Sequence, residues 1–156
     1  MILALLASLV IQDPDLAAVD CSQAMTTLEV NACIGRDLDL ERERMNLYQD
    51  TAFAVLREEA AGAGEGLDEA NALIAEIEAG QTLWQAYADK ACAAVYTRWQ
   101  SGTIRVAMAL DCQIELTRQR THHLWSEYLS FPDSTEPILP EPVRSVAAEQ
   151  NSATAD

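Results

Sequence analysis

The chain has 156 residues, enough for one domain with a modest core, and carries 25 acidic against 10 basic side chains for a formal net charge of −15. That balance argues against nucleic acid as a partner, because phosphate binding relies on clustered Lys and Arg, and it disfavours anionic lipid surfaces for the same reason. A hydrophobic share of 49% is that of a globular protein, so soluble partners of neutral or cationic character remain.

The chain opens on "MILALLASLVI", an apolar run too short to span a bilayer, which needs about 20 such residues. Its length suits the apolar region of a secretory signal, although no basic residue precedes it and "LAAV" (16–19) is only the nearest approach to a cleavage site. Residues 1–19 are therefore expected to be an export signal or its remnant. A lipid anchor on Cys21 is disfavoured, because a small residue should precede such a cysteine and Asp20 stands there.

Strand signals are almost absent, and helical periodicity dominates. The first helix should begin at "TTLE", where Thr26 and Glu29 have the spacing of a capping box. Val30, Ile34, Leu38, Met45, Tyr48, Ala52 and Val55 then form one stripe, with the acidic run "DLDLERE" (37–43) read as a solvated face. "AGAGEG" (61–66) ends it. A second helix is expected from about Leu67 to Trp99, with Ala70, Ile74, Ile77, Trp84, Ala91, Val95 and Trp99 on one face and the tryptophans suited to core or interface packing. "SGT" (101–103) breaks the pattern, and a third helix should run from about Thr103 to Leu129. Beyond it, "FPDSTEPILPEPVRS" and "AAEQNSATAD" lack a periodic apolar face, so 131–156 reads as a disordered acidic tail. The expected architecture is all-α: three long antiparallel helices over 20–130, with two disulfides.

Four cysteines permit three pairings. Gly102 lies midway between Cys92 and Cys112, so a helical hairpin turning there sets both at one height, within reach of the ~5.5–6 Å Cα separation a disulfide prefers. Cys33 falls about 10 Å along a helix starting at Thr26, a distance the chain from Cys21 can fold back over. Cys21–Cys33 and Cys92–Cys112 are the favoured pairs, consistent with an oxidising compartment. Zinc fits poorly: no C-x-x-C occurs, and the two histidines, His122 and His123, are adjacent. Neither a metal nor a cofactor is expected. No nucleophile elbow, phosphate-cradling glycine loop or H-E-x-x-H occurs, which leaves little support for an enzyme.

Several segments recur together, in this order, in one known family. They are "DCSQAMTTLEVNAC" with Thr27, Glu29 and Asn31; "MNLYQD" with Asn46 and Tyr48; "GQTLWQAYADKAC" with Gln81, Trp84 and Asp89; "SGT" with Gly102; and "DCQIELTRQRTHHL" with Thr117 and Arg118. Over residues 20–129 the chain resembles the LprI-type lysozyme inhibitors, small exported all-helical proteins. The resemblance implies a periplasmic or secreted location, disulfides, no stable membrane insertion and a protein partner, which for some members is lysozyme. The family often has an aromatic-Arg-Asp sequence before the third cysteine and a glycine pair at the turn. Here Tyr87-Ala88-Asp89 and a single Gly102 stand instead. Animal-type lysozymes are strongly basic, so an acidic inhibitor would gain association rate from electrostatic steering. The second reading is an envelope adaptor module with no inhibitory activity.

Overall fold

The computed structural model describes residues 18–64, 66–133 and 135–142. The expected export signal therefore lies, except for residues 18 and 19, outside the described residues. Three helices account for the domain: α1 (Thr27–Ala63), α2 (Leu67–Arg98) and α3 (Arg105–Tyr128), preceded by a single 3-10 turn at Cys21–Gln23. No strand occurs among the described residues.

Both ends of α1 follow from local chemistry. Thr26 Oγ1 accepts from the Glu29 N–H at 3.2 Å, while Glu29 Oε2 accepts from the Thr26 and Met25 N–H groups at 2.9 and 3.1 Å. The expected capping box is thus formed, with Glu29 satisfying two exposed donors at once. These donors hold the Glu29 carboxyl below its usual range, the Thr26 N–H contributing most. At the far end Gly64 takes φ 70°, and its N–H reaches back to the Ala60 and Ala61 carbonyls. A left-handed residue here reverses the chain toward α2, and glycine enters that region without a Cβ penalty.

α3 packs against both other helices, most closely against α1. The core is a cluster of Met45, Tyr48, Ala52 and Phe53 from α1, Ile74 and Ile77 from α2, and Leu124 and Leu129 at the end of α3. Leu38, Met45, Tyr48, Ala52, Ile74 and Ile77 are buried as the spacing predicts. Val30 and Trp99, each near a helix end, are 37% exposed. The acidic run also needs one correction. Glu41 is only 5% exposed, held between Arg118 Nε at 2.9 Å and Arg44 Nη1 at 2.6 Å.

The favoured cysteine pairing is the one observed. Cys21–Cys33 and Cys92–Cys112 bridge Cα separations of 5.7 and 5.6 Å, and no described cysteine is free. Cys21 consequently has no thiol left for a lipid anchor.

The segment after α3 differs from the disorder expected from residue 131 onward. The Ile138 N–H returns to the Leu129 carbonyl at 2.9 Å, Trp125 Nε1 donates to Leu139 O at 2.9 Å, and the Tyr48 hydroxyl donates to Pro140 O at 2.7 Å. Leu139 packs on the core cluster, and Pro142 is buried. This stretch is a strap across the bundle, anchored through its own carbonyls rather than by periodic side chains. Residues 143–156 lie outside the described residues.

Candidate functional site

The residues singled out by family resemblance divide into those that build the scaffold and those that meet at one end of it. Arg118 bonds Glu41 across the α1–α3 interface, and a charge-assisted pair with so little water around it fixes the register of the two helices. Thr117 returns its hydroxyl to the Gln113 carbonyl at 2.7 Å. Gln81 lies between Arg120 Nε, which donates to its Oε1 at 2.8 Å, and Met45 Sδ, to which its Nε2 donates at 3.5 Å. Burial pulls the Arg120 guanidinium below its usual range and pushes the Tyr48 phenol up. Trp84 packs half-buried against the core cluster. Asn46 is exposed, and Asp89 is exposed and accepts from Gln85 Nε2 at 3.0 Å. Ala88, where the family often carries Arg, is buried between helices, so the missing Arg alters packing rather than an exposed contact.

Thr27, Asn31 and Gly102 come together. Thr27 and Asn31 on the first turns of α1 face the α2–α3 turn, Ser101 to Thr103, across a cleft of about 340 Å³ that Arg105 and Val106 complete. The turn is tight: the Gly102 N–H bonds the Trp99 carbonyl at 2.8 Å, and a Cβ on Gly102 would stand 3.4 Å from that oxygen. Arg105 is the only charged residue in the cleft wall and makes no ion pair among the described residues. Its Nη1 donates to Gln100 O at 3.0 Å, and its guanidinium lies 5.7 Å from the centre of the Tyr96 ring. The Asn31 carboxamide oxygen is buried and finds no donor among the described residues.

The surroundings of this cleft are apolar and exposed. Met25 and Leu28 lie at the start of α1, while Tyr96, Trp99 and Ile104 flank the turn, all substantially open to solvent. Arg36 braces the entering chain nearby, with Nη2 2.6 Å from both Val19 O and Cys21 Sγ and 3.2 Å from Cys33 Sγ. Sequence reasoning left Trp99 between core and interface packing and gave no role to Arg105, Ile104 or Arg36. The available signal was Trp99, Ile104 and Arg105 crowded around one turn glycine, a pattern that helical periodicity alone does not weigh.

The opposite end is different in kind. Where α1 turns into α2, Leu56, Ala60, Ala63, Ala70 and Leu73 line a crevice of about 290 Å³ with Glu59 and Glu69 on its rim. Small side chains close the hairpin there, and carboxylates cover it. Among the described residues no group of three or more His, Cys, Asp or Glu is placed to hold a metal ion. His122 instead meets Glu141 of the strap at 3.2 Å and lies tilted against Trp125, with 5.4 Å between ring centres.

The fold and these surfaces define a disulfide-stapled helical domain whose exposed features suit contact with another macromolecule. Residues 18–124 match the family model described as "Lysozyme inhibitor LprI". The chain belongs to the LprI lysozyme inhibitor family. Comparison with curated proteins and with solved structures gives no match.

Proposed function

We propose that the protein is an exported binding protein that blocks a lysozyme or a related peptidoglycan hydrolase by protein–protein contact. The observation that carries this reading is the family match, which spans both disulfides and nearly all of the three-helix domain. Two features support it. The disulfides suit an oxidising compartment outside the cytoplasm. The net charge of −15 suits a strongly basic partner, with encounter accelerated by long-range attraction. No described helix is long and apolar enough to cross a membrane.

The test is lysis of a cell-wall suspension by hen-type lysozyme, with and without the purified protein, at low and high ionic strength. The expected result is inhibition at low salt that weakens as salt screens the attraction. Full lysis at every protein concentration, with no complex at low salt, would leave only the adaptor reading.

A further inference from the structure

We propose that the turn end of the bundle is the surface that enters the hydrolase, with Arg105 directed at the carboxylates of the hydrolase's catalytic cleft. The proposal rests on the inhibitor reading and names the surface by which that reading would operate.

Three observations converge on this end. The first is composition. Tyr96, Trp99, Ile104, Met25 and Leu28 are exposed beside a cationic Arg105, and aromatic residues, Met and Arg are the types enriched at protein interfaces and at their energetic centres. Large apolar side chains are exposed elsewhere too, Leu47, Leu67 and Leu83 among them, but here aromatic residues, Met and Arg lie together around one cleft, as on a face that is covered in a complex.

The second is local charge. The protein as a whole is strongly acidic, yet the cleft between Thr27, Asn31 and the 101–103 turn has no acidic residue in its wall and one unpaired cation. Glycoside-cleaving enzymes work with a pair of carboxylates in a cleft, so the partner's site holds acidic groups within a molecule that is basic overall. An acidic body that carries a cationic side chain in an acid-free cleft is thus complementary to the two parts of such an enzyme.

The third is hydrogen bonding. The Asn31 carboxamide has a buried oxygen with no hydrogen-bond partner among the described residues, in a cleft that Thr27, Ser101 and Thr103 also line. An unsatisfied buried acceptor is costly, and a small rearrangement on docking would let a partner's donor reach it. The turn itself is short and held by the Gly102–Trp99 bond, so little order would be lost on binding.

The acidic crevice at the α1–α2 hairpin makes the competing prediction. Its carboxylates would meet the basic exterior of a lysozyme but leave the catalytic cleft open.

The experiment uses the full chain, hen-type lysozyme, and the variants Arg105→Ala, Trp99→Ala and Glu59→Gln/Glu69→Gln, each checked for unchanged helicity and melting. Arg105→Ala and Trp99→Ala are expected to weaken inhibition at least tenfold, while the hairpin variant changes it less than threefold. Filling the lysozyme cleft with a chitin oligosaccharide is expected to prevent complex formation. Retained inhibition by Arg105→Ala and Trp99→Ala, or binding indifferent to the oligosaccharide, overturns the proposal while the inhibitor reading stands. Absence of any complex with the unaltered protein overturns both.

Discussion

The two ends of this bundle are stabilised by different means, and each exposes a different surface. At the hairpin end, α1 and α2 are joined by a left-handed Gly64 and closed over alanines, with the core cluster of Phe53, Ile74 and Ile77 a few turns away. At the turn end that cluster has run out. Cys92–Cys112 and Cys21–Cys33 hold the chain there instead, with Cys92 only 1% exposed. A covalent staple needs no apolar burial, so an end held by disulfides can leave Trp99, Ile104 and Met25 facing outward. The end secured by packing leaves Leu67 and Leu73 open, without an aromatic residue among them, and sets Glu59 and Glu69 beside its crevice.

That contrast can be broken most severely at the staple. Replacing both Cys92 and Cys112 by Ala should cost about 3 kcal/mol for a loop of this size. Denaturant unfolding gives the stability, and hydrogen exchange should show the loss concentrated in the last turns of α2 and the first of α3. A uniform loss along the bundle would contradict the division of labour described above. Glu41→Gln should come next, at about 2 kcal/mol, because Arg118 would remain largely enclosed beside a weaker acceptor. The same denaturant titration measures it, and Arg118→Met/Glu41→Leu should recover part of the loss.

Smaller effects separate the two termini of α1. Gly64→Ala, at the hairpin, should cost about 1 kcal/mol because an L side chain is strained at φ 70°. Thr26→Ala, at the turn end, should cost about 1 kcal/mol through loss of the cap. The smallest effect is one of pH. Backbone donors hold the Glu29 carboxyl below its usual range, and the Ser22 N–H does the same for Asp20. A carboxyl depressed in the folded state stabilises above its unfolded pKa, and that contribution is lost as pH falls through the lower folded value. Melting curves from neutral pH into the acid range should therefore show a shallower acid decline for Glu29→Gln than for the unaltered protein.

Much of the scaffold is legible in the sequence because it is written in local rules. The capping box at Thr26 and Glu29 starts α1, the glycines after Ala61 end it, and Gly102 midway between two cysteines sets both the hairpin and its staple. What local rules do not carry is equally specific. The strap at 135–142 is held by the Leu139 and Pro140 carbonyls, and backbone acceptors leave no periodic trace. Glu41 sits in an acidic run whose other members are mostly exposed, and only the arrival of Arg118 from a helix 77 residues away sets it apart. At the turn end, Thr27, Asn31 and Gly102 were reached through family resemblance, without a reason for their company. Arg105 required the bundle itself, and so did the choice between core and interface for Trp99, which periodicity only placed on one face with Ile77 and Trp84.

The account places the working surface at the stapled turn end, and hydrogen–deuterium exchange of the protein with and without hen-type lysozyme tests this most directly. The predicted result is new protection confined to residues 25–31 and 96–106, with the hairpin at 56–73 unchanged. Protection centred on 56–73, or none anywhere at low salt, would contradict it.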